Sequence, residues 1–132
     1  MIASGRVLDT SAVLALAAGS PYTDALLTVA TELAITLAVP AAALQAAWQH
    51  ADQLSRPWLD LLPALSPIVI LPLDADTARS AGLVAATSGH PDAPAGTAHA
   101  VHIARARSWV VVTADPHTVL ELDSSARTET IP

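Results

Sequence analysis

Short apolar runs alternate along this chain with longer stretches of helical character, and that alternation restricts the fold more than any other feature. Val7-Leu8, Ile35 to Val39, Ile68-Val69-Ile70-Leu71 and Trp109-Val110-Val111-Val112 read as strands, and Thr128 to Ile131 as a last edge strand. Helices are expected over Ser11 to Ala18, closed by Gly19, and from Ser20-Pro21 through a face of Leu26, Leu27, Ala30, Leu33 and Ala34. The next runs from Pro40, in its first turn, to Ala51, and a short one follows Ser55-Arg56-Pro57-Trp58 with Ser55 as its N-cap. A fifth is capped by Asp74, a sixth spans Gly96 to Arg107, and a last one follows Asp115-Pro116, while Thr87 to Ala95 holds too much Pro and Gly to be anything but loop. Strands that alternate with helices pair in parallel through right-handed crossovers. The expected fold is therefore α/β: one domain over residues 1–132, a three-layer α/β/α sandwich around a mostly parallel sheet of about four or five strands.

Composition narrows the function classes. With 52% hydrophobic and 14% charged residues and no Phe, the chain should bury a core of Ala, Val, Leu and Ile with closely packed helices. No Cys is present, which rules out disulfides, a thiolate nucleophile and a zinc finger, and suits a reducing cytoplasm. Net charge of −6, with every cation an Arg, argues against affinity gained by blanketing a phosphate backbone, so any nucleic-acid contact must be local. Asp9 interrupts what would be the hydrophobic part of a secretory signal. The most apolar window, Ala25 to Val39, is broken by Glu32 and stopped by Pro40, short of the ~20 apolar residues of a membrane span, so no membrane partner is expected.

In an open parallel sheet, ligands bind beyond the carboxyl ends of the strands. Two carboxylates fall there, Asp9 after the first strand and Asp115 after the fourth, each with a hydroxyl two positions away, Ser11 and Thr113. Carboxylates with hydroxyls suit a hard divalent cation such as Mg²⁺ or Mn²⁺, which takes oxygen ligands and activates water for phosphodiester cleavage. The alternative is that each Asp caps the helix that follows it. There is no Gly-rich phosphate loop with Lys and no Gly-x-Ser-x-Gly elbow, and a phosphoryl-accepting Asp would lack a Lys beside it.

Val7-Leu8-Asp9-Thr10-Ser11 and Val111-Val112-Thr113-Ala114-Asp115-Pro116, in a chain of this length and element order, resemble the PIN domains of bacterial toxin-antitoxin ribonucleases. The resemblance implies an α/β/α sandwich whose acidic pole binds Mg²⁺ or Mn²⁺ and hydrolyses RNA, a homodimer, and a small antitoxin partner. It makes Asp9 and Asp115 the catalytic metal ligands, with Ser11, Asp92, Thr97 and Thr113 in support. Two acidic positions of the family pattern are not acidic here. Ala46 stands at the first, with Gln45 its neighbour should the register slip, and Thr97 stands at the second. Each close carboxylate attraction is worth on the order of 4 kcal/mol at intermediate dielectric before desolvation, so activity should be weakened or lost unless Asp92 swings in as a substitute. The alternative function is a non-catalytic PIN-like module that binds a protein partner or RNA.

The remaining polar and aromatic residues have plainer expectations. His99 and His102 share a helix face, His90 neighbours Asp92 and His117 follows Asp115-Pro116, but no compact zinc motif is completed, so hydrogen-bonding histidines are expected. Arg105 and Arg107 should offset the dipole at the end of their helix. Trp48 and Trp58 read as core or dimer contacts, and Trp109 as core.

Overall fold

The computed structural model describes residues 4–132. Its strands are β1 (Gly5–Leu8), β2 (Thr36–Pro40), β3 (Ile68–Leu71), β4 (Val110–Thr113) and β5 (Thr128–Thr130). The helices are α1 (Thr10–Ala17), α2 (Pro21–Leu33), α3 (Ala41–His50), α4 (Arg56–Leu61, extended by a 3-10 turn, Leu62–Ala64), α5 (Ala75–Thr87), α6 (Ala95–Arg107) and α7 (Pro116–Leu122). All strand pairs are parallel, in the order β3-β2-β1-β4-β5, with Val7 opposite Ala38 on one side and Val111 on the other. The strand order reverses at β1, which puts a topological switch point beyond the carboxyl ends of β1 and β4, where sheets of this kind bind ligands.

Alternation along the strands divides the core into two layers. Leu8, Leu37, Val39, Ile68 and Val112 face a cluster built with Ala12, Val13, Ala17, Ala30, Ala47, Leu59 and Leu62 of α1 to α4. Val7 and Val111 face the other, made by Val84, Ala98, Val101, Ile103, Ala104, Val119 and Leu122 of α5 to α7. The expected α/β/α sandwich is thus the one observed. Among the described residues no single helix is long and apolar enough to cross a membrane.

Several local expectations are corrected. Pro40 ends β2 and is the N-cap of α3, so it precedes the first helical turn; its extended backbone (ψ 136°) continues the ladder to Leu71. Ser55 makes no side-chain cap; Asp52, three residues earlier, takes the Ser55 amide on its own carboxylate at 2.8 Å. Asp74 does cap α5, accepting from the Thr77 amide at 2.9 Å. Leu33 and Ala34 of the expected apolar face are exposed, because α2 ends there with Ala34 in the left-handed conformation (φ 54°). Trp58 is not core but 60% exposed, and Trp48 also lies at the surface. Trp109 precedes β4 and lies flat on Gly5, where a Cβ would fall 2.4 Å from the indole; this close approach is what Gly5 permits.

Candidate functional site

Asp9 follows directly on β1 and is only 5% exposed. Its Oδ1 accepts from the Ala12 amide at 3.0 Å, the capping role weighed as the alternative to metal binding, and from the Ser11 hydroxyl at 2.6 Å. Ser11 Oγ in turn accepts from the Ala114 amide at 2.8 Å, tying the end of β1 to the end of β4. The Ser11 proton is committed to Asp9, so its 3.4 Å contact with Thr113 Oγ1 has Thr113 as donor, and Thr113 Oγ1 accepts from the Asp115 amide at 2.9 Å. A directed chain of hydrogen bonds therefore runs from the Asp115 backbone through Thr113 and Ser11 to the Asp9 carboxylate.

The Asp115 carboxylate does not join that chain. It occupies the N-cap position of α7 without accepting a capping amide, and instead takes the Thr118 hydroxyl, whose hydrogen bond holds the carboxyl below its ordinary range. Asp92 is exposed on the loop between α5 and α6 and borders a groove of about 320 Å³ with Thr118 and Glu121, on the α7 side. Glu121 there meets the Nε2 of His117 at 2.7 Å and of His90 at 3.7 Å, so two of the histidines are carboxylate partners.

The two positions where the family pattern has carboxylates are filled differently. Ala46 is half-buried on α3, with Gln45 exposed beside it, and Thr97 is buried on α6. The adjoining Gly96 is packed so tightly that a Cβ would lie 2.5 Å from Thr10 Oγ1 and 3.0 Å from Ala43 Cα, which locks α1, α3 and α6 together at this pole. His99, which sequence reasoning left as a generic hydrogen-bonding histidine, has a specific post. Pro40 offers α3 no side-chain cap, and buried His99 Nδ1 accepts the Ala42 amide at 3.4 Å. The proton is then on Nε2, which has no partner among the described residues, and burial, aided by His102, pulls the imidazole below its usual value.

Mg²⁺ or Mn²⁺ would find only a depleted donor set here. One Asp9 oxygen already accepts two hydrogen bonds and the Asp115 carboxylate is engaged by Thr118 on α7. Among the described residues no three His, Asp or Glu side chains are disposed to hold a metal ion.

A second feature was not anticipated from periodicity. α1, α2 and α4 border an apolar groove, formed by two adjoining hollows of about 350 and 140 Å³ that share Leu16, Ala17, Asp24 and Trp58. Leu54, Trp58 and Leu61 stand along it 85%, 60% and 52% exposed, and Asp24 and Asp52 lie on its rim. A helical period shows which residues share a face, but not whether a neighbour covers that face.

No family model matches the sequence, and no curated protein matches it either. Solved structures do. The chain is similar to one in the DNA-bound VapBC of Salmonella typhimurium, with a TM-score of 0.68 and 18% identity over 98% of both chains. It is also similar to one in VapBC2 of Rickettsia felis bound to a promoter DNA fragment (TM-score 0.66, 15% identity, 97% of this chain and 99% of that one). PAE2754 of Pyrobaculum aerophilum gives a TM-score of 0.63 at 21% identity, covering 96% and 92%. At these identities the likeness defines the fold, and the fold is that of a PIN domain.

Proposed function

We propose that this chain is a toxin-type PIN module, a homologue of divalent-metal-dependent ribonucleases whose cleavage activity is weakened or lost, and which binds a small antitoxin-like protein. The observation that carries the proposal is the exposure of Leu54, Trp58 and Leu61 along one groove between α1, α2 and α4. Large apolar side chains gathered at a surface mark an interaction site, and such a groove suits the apolar face of a helix. Asp24 and Asp52 on the rim favour a partner segment with Arg or Lys flanking its apolar anchors. Similar chains occur in the VapBC structures described above, which supports a protein partner.

In this reading Asp9 and Asp115 are the remnant of a catalytic metal pair, with Ser11, Asp92, Thr97 and Thr113 around them, and Mg²⁺ or Mn²⁺ is held weakly. The module acts in the cytoplasm and pairs as a homodimer. A second reading, a wholly non-catalytic module that binds a partner or RNA, is favoured by one detail: the Asp9 carboxylate is already employed as a helix cap and as the acceptor of Ser11.

The test is co-expression with the product of a neighbouring reading frame. Wild type should co-purify with it, and the double variant Trp58→Ser, Leu61→Ser should not, while both melt alike. Undiminished co-purification by the variant would overturn the groove assignment. In parallel, structured RNA with Mn²⁺ should be cleaved no faster than about ten-fold over Asp9→Ala, against the far larger losses that removing a working metal-ligating residue brings.

A further inference from the structure

Four of the six arginines in this lysine-free chain, Arg6, Arg105, Arg107 and Arg127, stand where β1, β4 and β5 begin, at the opposite end of the sheet from Asp9. They line two adjoining grooves of about 420 and 200 Å³ that share Ser108, Trp109 and Arg127. Two of the four are spoken for: Arg6 Nε lies 3.2 Å from Glu129, which also accepts the Tyr22 hydroxyl, and Arg105 Nε lies 3.3 Å from Asp123. The other two have no carboxylate partner among the described residues. Arg107 lies over the Trp109 ring, 5.1 Å from its centroid, and Arg127 gives one nitrogen to the Ser108 carbonyl, the residue that ends α6. Arg105 and Arg107 stand in the last turn of α6 and offset its dipole, an effect of charge that leaves the Arg107 donors free.

We propose that this amino-end pole, through Arg107 and Arg127, binds the phosphodiester backbone of single-stranded nucleic acid. A guanidinium stacked on an aromatic keeps its planar edge of donors free for two oxygens of one phosphate. The hydroxyls of Ser4 and Ser108 line the same groove and add neutral donors. Charge sets the shape of the ligand. The chain carries −6 overall, so the positive surplus at this pole leaves the rest of the surface strongly negative. A duplex would lay a broad charged face against that negative remainder, whereas a flexible strand reaches the pole alone. This inference is independent of the metal question and of the groove between α1, α2 and α4.

Fluorescence anisotropy of a labelled oligouridine, with EDTA present and at low salt, tests it. Arg107→Gln, Arg127→Gln should weaken binding roughly ten-fold or more and reduce the salt slope by about 1.4, the contribution of two contacts on a single strand. Arg107→Gln alone, which disturbs no hydrogen bond, should account for about half of that slope change. Arg56→Gln, Arg79→Gln removes the same charge from α4 and α5 and should change affinity less than about two-fold. Equal losses in both pairs, or no binding by wild type, would overturn the proposal. So would polyglutamate displacing the probe as well as unlabelled oligouridine does, which would instead assign the pole to an acidic protein segment.

Discussion

The same substitution, Gly→Ala, should have opposite effects at two helical positions. At Gly96 the new methyl would meet Thr10 Oγ1 at 2.5 Å, Ala43 Cα at 3.0 Å and Ala43 N at 3.3 Å. The Thr10 hydroxyl can turn away, but the α3 backbone can move only with the helix, so the junction of α1, α3 and α6 must open. Overpacking of this kind costs about 1–3 kcal/mol, and the better helix propensity of Ala returns at most ~1 kcal/mol, leaving a net loss of up to roughly 2 kcal/mol. Gly82 lies within α5, exposed, with nothing inside 4 Å of an added Cβ. There Ala should stabilise by about 0.5–1 kcal/mol. The two variants would thus differ by up to roughly 3 kcal/mol, or about 12 °C in Tm for a chain of this size, which calorimetry or urea denaturation resolves easily. Equal shifts of the same sign would refute the reasoning, because they would show that the helix junction at the acidic pole is not closely packed.

Ser11→Ala removes the hydroxyl that serves Asp9 and receives the Ala114 amide, and it should cost about 1–3 kcal/mol in denaturant titrations; a neutral outcome would mean water replaces it freely. His99 ties pH to stability. Its imidazole is held below the ordinary value in the fold, so its contribution is complete above about pH 6.5, where the unfolded group is neutral, and is lost as pH falls below that. His99→Gln should therefore show a flatter fall in denaturation midpoint between neutral pH and about pH 5 than wild type does. Ala34, left-handed at the end of α2 (φ 54°), should be stabilised by about 1 kcal/mol on replacement with Gly, read as a higher melting temperature.

Where a signal was local, it was legible. The β-branched runs at Ile68–Leu71 and Val110–Val112 announced their strands, and Asp9 and Asp74 announced their caps, because in each the deciding interaction lies within a few residues. Ser55 misled because Asp52 takes the Ser55 amide one turn earlier, while the Trp58 amide that a Ser55 hydroxyl would cap goes to the Ser55 carbonyl at 3.1 Å. Asp9, Ser11 and Thr113 were foreseen as one site, and their hydroxyls do link the two strand ends. Asp115 was foreseen beside them, and its carboxylate accepts the Thr118 hydroxyl one turn further on, a choice of donor that spacing does not decide. The tight seat of Gly96 and the open groove beside Trp58 depend on helices far apart in sequence, so only the assembled fold reveals them.

The most direct test of a PIN fold with a depleted metal pole is a calorimetric Mn²⁺ titration of wild type beside Ala46→Glu, Thr97→Asp, with denaturation midpoints confirming that both are folded. Wild type should bind weakly, and restoring the two carboxylates should tighten binding by roughly ten-fold or more, since each adds an attraction of a few kcal/mol before desolvation. Tight binding by wild type that Asp9→Ala abolishes would contradict it and return the chain to the working nucleases.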